Sequence, residues 1–194
     1  MPECLQAGPW YARRMADIRV AITPDEFLKM AEATDDRLEL VDGEVLRMSP
    51  AGARHGFTSS NVNHLLRQLL PAEQFRVFDD VGWLLPSGNV RGPDLCVVSA
   101  EVVRAKGIPA GWWTDPIELA VEVIGAEDRL AELDRKTEEY FAAGARQVWR
   151  VNPETQKLTI YRSPKDVRIF SLEDEVDGAD FHPALHFSAR RIFE

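Results

Sequence analysis

Glu122 stands inside Leu119-Ala120-Val121-Glu122-Val123-Ile124, a run that otherwise reads as a core strand. A carboxylate among apolar neighbours is costly unless a cation or a hydrogen-bonding partner meets it. A salt bridge to an arginine, or a sheet face that reaches water, would satisfy it as well as a metal ion. Asp94 follows Pro93 and opens a second apolar run, Leu95-Cys96-Val97-Val98. Taken alone, it reads as a turn or cap residue. If the two runs are neighbouring strands, about 4.8 Å apart, Asp94 and Glu122 converge on one point. Two carboxylates and a backbone carbonyl, here that of Val123, then make a ligand set suited to Mg²⁺, which prefers oxygen and keeps several waters.

Lys136 lies in the helix that follows the Glu122 run. Leu130, Leu133, Thr137, Tyr140 and Phe141 mark the buried stripe of that helix. At roughly 100° per residue, Lys136 falls about 90° from the centre of the stripe. From that flank it either leans toward the end of the sheet or remains a solvated lysine paired with Glu132 or Glu139. Glu39 belongs to Arg37-Leu38-Glu39-Leu40-Val41, on the face opposite Leu38 and Leu40. Its plain alternative is an exposed cross-strand partner of Arg47. Carboxylates on a divalent cation, with a lysine to meet developing negative charge, suit phosphodiester hydrolysis.

The elements that must position these residues follow from periodicity and turn chemistry. Thr23-Pro24-Asp25-Glu26 reads as a capped helix start, and the helix over 24–33 turns Phe27, Leu28 and Ala31 inward. Residues 37–41 and 44–48 form a hairpin across Asp42-Gly43. A helix over 54–70 carries Phe57, Val62, Leu65, Leu66 and Leu69 on its apolar face, and Pro71 ends it. Strands are expected over 75–85, 94–98 and 117–124, with a turn at 86–89. A short helix is expected over 101–106, and a loop over 107–116 holds Trp112 and Trp113. The helix over 129–143 closes at Gly144. A second hairpin joins 147–151 to 157–161, and two short strands and a helical turn finish the chain. A mixed sheet with helices packed against it is the natural arrangement.

Composition narrows the class. A chain of 194 residues fits one domain, and its 45% hydrophobic and 28% charged residues are ordinary for a globular protein. Cys4 and Cys96 are far apart and form no CxxC, which argues for a reducing compartment and against structural zinc. No apolar run is long enough to span a membrane, and Met1 to Arg14 has no continuous apolar stretch of the signal-peptide kind, so the cytoplasm is expected. The net charge of −9 counts against a simple phosphate-binding surface. Part of it is local: residues 165–180 hold six acids against two bases. His182 and His186 have metal-like spacing, but Pro183 interrupts them and no third ligand is near. His55 begins a helix, where it either contacts phosphate or caps and packs. Trp112-Trp113 either stacks on bases or anchors a loop. There is no GxxxxGK[ST], HExxH or GxSxG.

Six segments stand in a telling order: Arg37-Leu38-Glu39-Leu40-Val41-Asp42-Gly43-Glu44; Met48-Ser49-Pro50 with His55; Pro93-Asp94; Val121-Glu122-Val123; Lys136 with Tyr140 and Gly144; and Val148-Trp149-Arg150-Val151-Asn152-Pro153-Glu154. In this order they resemble the Uma-two family of the PD-(D/E)xK endonuclease superfamily. Each dipeptide is common, so the ordered set carries the resemblance, which runs from about Thr23 to the C-terminus. It implies a restriction-endonuclease-like α/β fold: a mixed β-sheet flanked by helices, with additional β-hairpins. Residues 1–22 would be an N-terminal extension and 23–194 the nuclease domain. Asp94 and Glu122 match the metal-binding carboxylates. Lys136 matches the catalytic lysine, moved into the helix because Ile124 occupies its usual place. Glu39 matches the acid from the first element, holding a metal-bound water or a second ion. The sequence departs at Ile124-Gly125-Ala126-Glu127, where relatives carry a Ser-Pro-Ser-like segment.

The expected function is a Mg²⁺-dependent endonuclease, with Mn²⁺ as a substitute, acting on nucleic acid and foremost on DNA. A homodimer is expected, with Trp112-Trp113 as candidate interface surface. The alternative, favoured by the negative charge, is a catalytically inactive nucleic-acid-binding or scaffold protein on the same fold. An unrelated hydrolase or small-ligand binder is a third reading.

Overall fold

The first helix, α1 (Pro24–Glu32), begins with reciprocal capping: the Thr23 side chain accepts the Glu26 amide, and Glu26 accepts the Thr23 amide at 2.9 Å. The structure, a computed structural model, describes residues 21–194. The expected N-terminal arm around Trp10 and Tyr11 lies outside the described residues. Strands β1 (Leu38–Val41) and β2 (Glu44–Arg47) form the first hairpin. Asp42 and Gly43 both take positive φ, 52° and 77°, as a tight two-residue turn of this hand requires. At Gly43 a side chain is excluded twice over, because its Cβ would stand 2.5 Å from that of Ala21.

Helix α2 (Ala53–Leu69) leads to β3 (Phe75–Asp79), β4 (Trp83–Leu84), β5 (Val90–Arg91) and β6 (Leu95–Ser99). Helix α3 (Ala100–Lys106), β7 (Leu119–Val123), α4 (Leu130–Ala142), β8 (Gln147–Asn152) and β9 (Lys157–Ser163) follow. The chain ends in β10 (Asp166–Ser171), β11 (Glu175–Asp177), β12 (His186–Ser188) and α5 (Arg190–Phe193). The main sheet has six strands in the order β10-β9-β8-β7-β6-β3. Only β7 and β8 run parallel within it, with α4 as their crossover. A four-stranded sheet, β2-β1-β5-β4, stands beside it, and β11 pairs with β12.

Alternation along β7 divides the core. Leu119, Val121 and Val123 join Val62, Leu65, Leu66 and Trp149 on one face. Ala120 turns to the other face, with Trp83, Val148 and Tyr140 of α4. Glu122 shares the parity of Ala120, so it continues that α4-covered face at the end of the strand.

Several expectations change. The strand expected over 75–85 is two strands in different sheets, because the chain turns at Asp80, whose φ is 51°. Strand β5 was not foreseen, since two residues carry no readable alternation. On α2, Phe57 is 52% exposed and Leu69 only half-buried, while Thr58 is buried. Phe57 lies about 100° round the helix from Thr58, outside the stripe continued by Val62, Leu65 and Leu66. The stripe of α4 also shifts: Leu130 is 69% exposed and Lys136 only 6%, so the lysine sits within the buried face rather than on its flank. Trp113 is buried and Trp112 stacks on Phe27 at 5.3 Å. The tryptophan pair is thus used largely inside the fold, with Trp112 half-buried.

Candidate active site

Strands β6 and β7 are antiparallel neighbours with Leu95 opposite Val121. This register brings Asp94 and Glu122 to adjacent positions at one end of the sheet. Asp94 accepts the Val123 amide at 2.7 Å through Oδ2, and the same oxygen meets His55 Nε2 at 3.2 Å. Its Oδ1 accepts Arg37 Nη1 at 2.9 Å. Burial raises the Asp94 carboxyl, but the His55 hydrogen bond, Arg37 and the Val123 amide outweigh burial and leave it lowered. In return, the hydrogen bond that His55 donates to Asp94 raises His55 above its ordinary value.

Glu122 has different company. Tyr140, about one turn beyond Lys136 on α4, donates its hydroxyl to Glu122 Oε1 at 2.5 Å. Lys136 Nζ stands 3.4 Å from both Glu122 oxygens. Burial pushes the Glu122 carboxyl up to about 7; Lys136 opposes this, while the charges of Asp94 and Glu39 add to it. The same surroundings hold the Tyr140 hydroxyl well above its usual range, chiefly through burial.

Glu39 is buried, not an exposed partner of Arg47, which instead bonds Asp36 at 2.7 Å. Its Oε1 meets Lys136 Nζ at 2.9 Å and the Gly92 amide at 3.0 Å, and its Oε2 accepts Arg91 Nη1 at 2.9 Å. Burial raises this carboxyl, yet Lys136, Arg91 and the Gly92 amide leave it lowered. Burial also works against the Lys136 charge, but the carboxylates of Glu122 and Glu39 raise its pKa above the ordinary lysine value. Glu39, Glu122 and Lys136 therefore form one buried cluster, with Lys136 between the carboxylates. Asp94 joins it through the strand register with Glu122. Both oxygens of Glu39 are engaged by this chain's own donors.

The cluster opens to solvent on one side. Asp94, Glu122, Val123 and Lys136 line a cleft of about 650 Å³ together with Arg37 and His55. Arg37, His55 and Asp94 also line an adjoining cleft of about 830 Å³ that runs along α2 past Ser59 and Asn63 to Arg67. Among the described residues, no group of three or more His, Cys, Asp or Glu side chains could hold a metal ion. His182 packs edge-on against Phe75 at 5.7 Å. Two adjacent carboxylates nonetheless fit Mg²⁺, which takes one or two protein carboxylates and completes its shell with water and substrate oxygens. The Glu122 carboxyl, held near 7 by burial with two further acids close by, marks a site short of positive charge.

Sequence reasoning did not single out Arg91, Arg37 or the Tyr140 hydroxyl. Arg91 is fully buried and bonds Glu39, Glu132 at 2.7 Å and Glu139 at 2.6 Å. The acids Glu132 and Glu139, weighed as partners for Lys136, are partners of Arg91.

The sheet order, the crossover helix and the carboxylates at one sheet end define a protein of the restriction-endonuclease-like fold. The crystal structure of a "putative nuclease belonging to DUF820" from Anabaena variabilis ATCC 29413 matches it with a TM-score of 0.77. That match covers 89% of this chain and 97% of that one at 19% identity. Residues 24–190 match the family Uma2, described as "Putative restriction endonuclease", and the chain belongs to that family. The cryo-EM structure of a DrdV–DNA complex matches at a TM-score of 0.34 and 9% identity, over 60% of this chain and 12% of that one, too loosely to bear weight. No curated protein matches the sequence. No helix among the described residues is long and apolar enough to cross a membrane.

Proposed function

We propose that this chain is a divalent-metal-dependent endonuclease, with Asp94 and Glu122 as its metal ligands, assisted by the Val123 carbonyl, and Lys136 as its catalytic cation. The observation that carries the proposal is the adjacency of Asp94 and Glu122 at the mouth of a cleft that Lys136 also lines. A bound Mg²⁺, or Mn²⁺ in its place, would polarise a scissile phosphate and acidify a water. The residues of the chain supply the rest. Asp94 is kept anionic and is fixed in orientation by Arg37, His55 and the Val123 amide. Tyr140 donates to one Glu122 oxygen, which fixes the carboxylate plane. Lys136 has its pKa raised, so it stays protonated at neutral pH and stabilises charge on phosphate rather than abstracting a proton. Glu39, whose Oε1 meets Lys136 and the Gly92 amide and whose Oε2 accepts Arg91, orients Lys136.

DNA is the first substrate to test. With Mg²⁺ or Mn²⁺ present, the protein should cut it, and Asp94→Ala should abolish cutting. Lys136→Ala should lose about a hundredfold or more in rate while still binding Mn²⁺. Undiminished cutting by Lys136→Ala would sink the mechanism. A second reading, a nucleic-acid binder that does not cut, draws on the net charge of −9 and on a Lys136 ammonium already shared between two carboxylates. Under that reading the wild-type protein retains nucleic acid intact with every divalent ion. Pairing as a homodimer also belongs to the proposal, and sedimentation showing only a 21.9 kDa species at micromolar concentration would remove it.

A further inference from the structure

We propose that Arg91 is a positioning residue: it clamps the helical turn that carries Lys136 and, through Glu39, fixes where the ammonium points. The inference rests on the reading of Lys136 as the catalytic cation. On α4, Glu132 lies four residues before Lys136 and Glu139 three after, so the three side chains share one helix face. Arg91 reaches both flanking acids from β5, with Nη1 at 2.7 Å from Glu132 and Nε at 2.6 Å from Glu139. The same Nη1 stands 2.9 Å from Glu39 Oε2, and Glu39 Oε1 stands 2.9 Å from Lys136 Nζ. One guanidinium thus sets both the helix that carries the lysine and the carboxylate that receives it.

The other flank of the turn is pinned separately. Arg150 of β8, opposite Glu122 in the parallel register, donates to Thr137, to Asp134 at 2.8 Å and to the Leu133 carbonyl. Lys136 is therefore held between two buried arginines, one on each sheet. This suits its place in the chain. A lysine has four rotatable bonds on either element, but a strand is held by its sheet ladder, whereas a helix can slide or roll. Arg91 removes that freedom without touching the cleft, since it lines neither opening. A lysine at position 91 would keep the charge but not the fork that spans three acids on two elements.

Two readouts test this. Arg91→Lys should lower kcat about tenfold or more with KM within about twofold, and Mn²⁺ affinity should be unchanged. Combined with Lys136→Ala, it should add almost nothing to the loss from Lys136→Ala alone, because both changes act through one group. Losses that multiply in the double variant would overturn the proposal. The second readout needs no cleavage: trinitrobenzenesulfonate labelling mapped by mass spectrometry. Lys136 should label about tenfold faster in Arg91→Lys than in wild type, while exposed Lys165 labels equally in both. Unchanged Lys136 labelling in a folded Arg91→Lys would overturn the proposal. If Arg91→Lys does not fold, Glu132→Gln with Glu139→Gln loosens the same clamp and is read in the same two ways. A wild-type protein that cuts no nucleic acid would remove the nuclease reading, and the labelling would still decide the clamp.

Discussion

Asp94 and Glu122 are the same functional group on neighbouring strands, yet they are treated in opposite ways. Asp94 has Arg37, His55 and a backbone amide on its oxygens, and its carboxyl is lowered. Glu122 is buried with a tyrosine hydroxyl and a lysine 3.4 Å away, and its carboxyl rises to about 7. The lysine that would neutralise it stands closer to Glu39, at 2.9 Å. The difference teaches how the site divides its labour. One carboxylate is permanently charged at the cleft, and the other is held ready for a cation that the protein does not itself supply in full. Groups of one kind pushed apart in this way are a recurring mark of functional sites, although structural ion-pair networks do the same.

The largest test of the contrast is in stability. Arg91→Ala strips a buried partner from Glu39, Glu132 and Glu139, which should cost about 3–5 kcal/mol. Arg37→Ala on the Asp94 side removes an arginine with 31% of its side chain exposed, paired in part with the exposed Asp80. That change should cost about 1 kcal/mol. Urea denaturation of both variants decides; equal losses would mean that the two sides are alike. The next effect is a pH dependence. Because the folded Glu122 carboxyl lies above its unfolded value, its favourable share is full at acid pH and is lost as pH rises from about 4.5 to about 7. Glu122→Gln removes this loss, so its Tm relative to wild type should be several degrees more favourable at pH 8 than at pH 4.5. A constant difference across that range would break the contrast. The smallest effect is local. The His55 ring should titrate above its ordinary value by NMR, and Asp94→Asn should bring it back down. An unmoved His55 titration would show that Asp94 is not its partner.

Much of this arrangement was legible in the residues. Glu122 drew notice because an acid interrupts an apolar strand, and the structure brings it beside Asp94 as the pairing of two apolar runs suggested. The hairpin turn at Asp42-Gly43 and the capped start of α1 follow from local chemistry that tertiary contacts do not override. Lys136 was legible as a residue but not as a buried one. Helix periodicity ranks faces by apolar content, and here the face is closed by charges that cancel across elements. Arg91 was illegible for the same reason, since its three partners lie 41 to 52 positions away. A network of long-range ion pairs leaves no period in the sequence. The break of β3 from β4 at Asp80 depends on one backbone conformation, which an aspartate permits but does not announce.

The central claim is that Asp94 and Glu122 together take a divalent cation, and calorimetric titration of Mn²⁺ into the wild-type protein and Asp94→Asn tests it most directly. The account predicts one saturable site in the wild type that Asp94→Asn loses, with Asp94→Asn still folded by its thermal melt. Binding of equal affinity in the two proteins, or none in either, would contradict it.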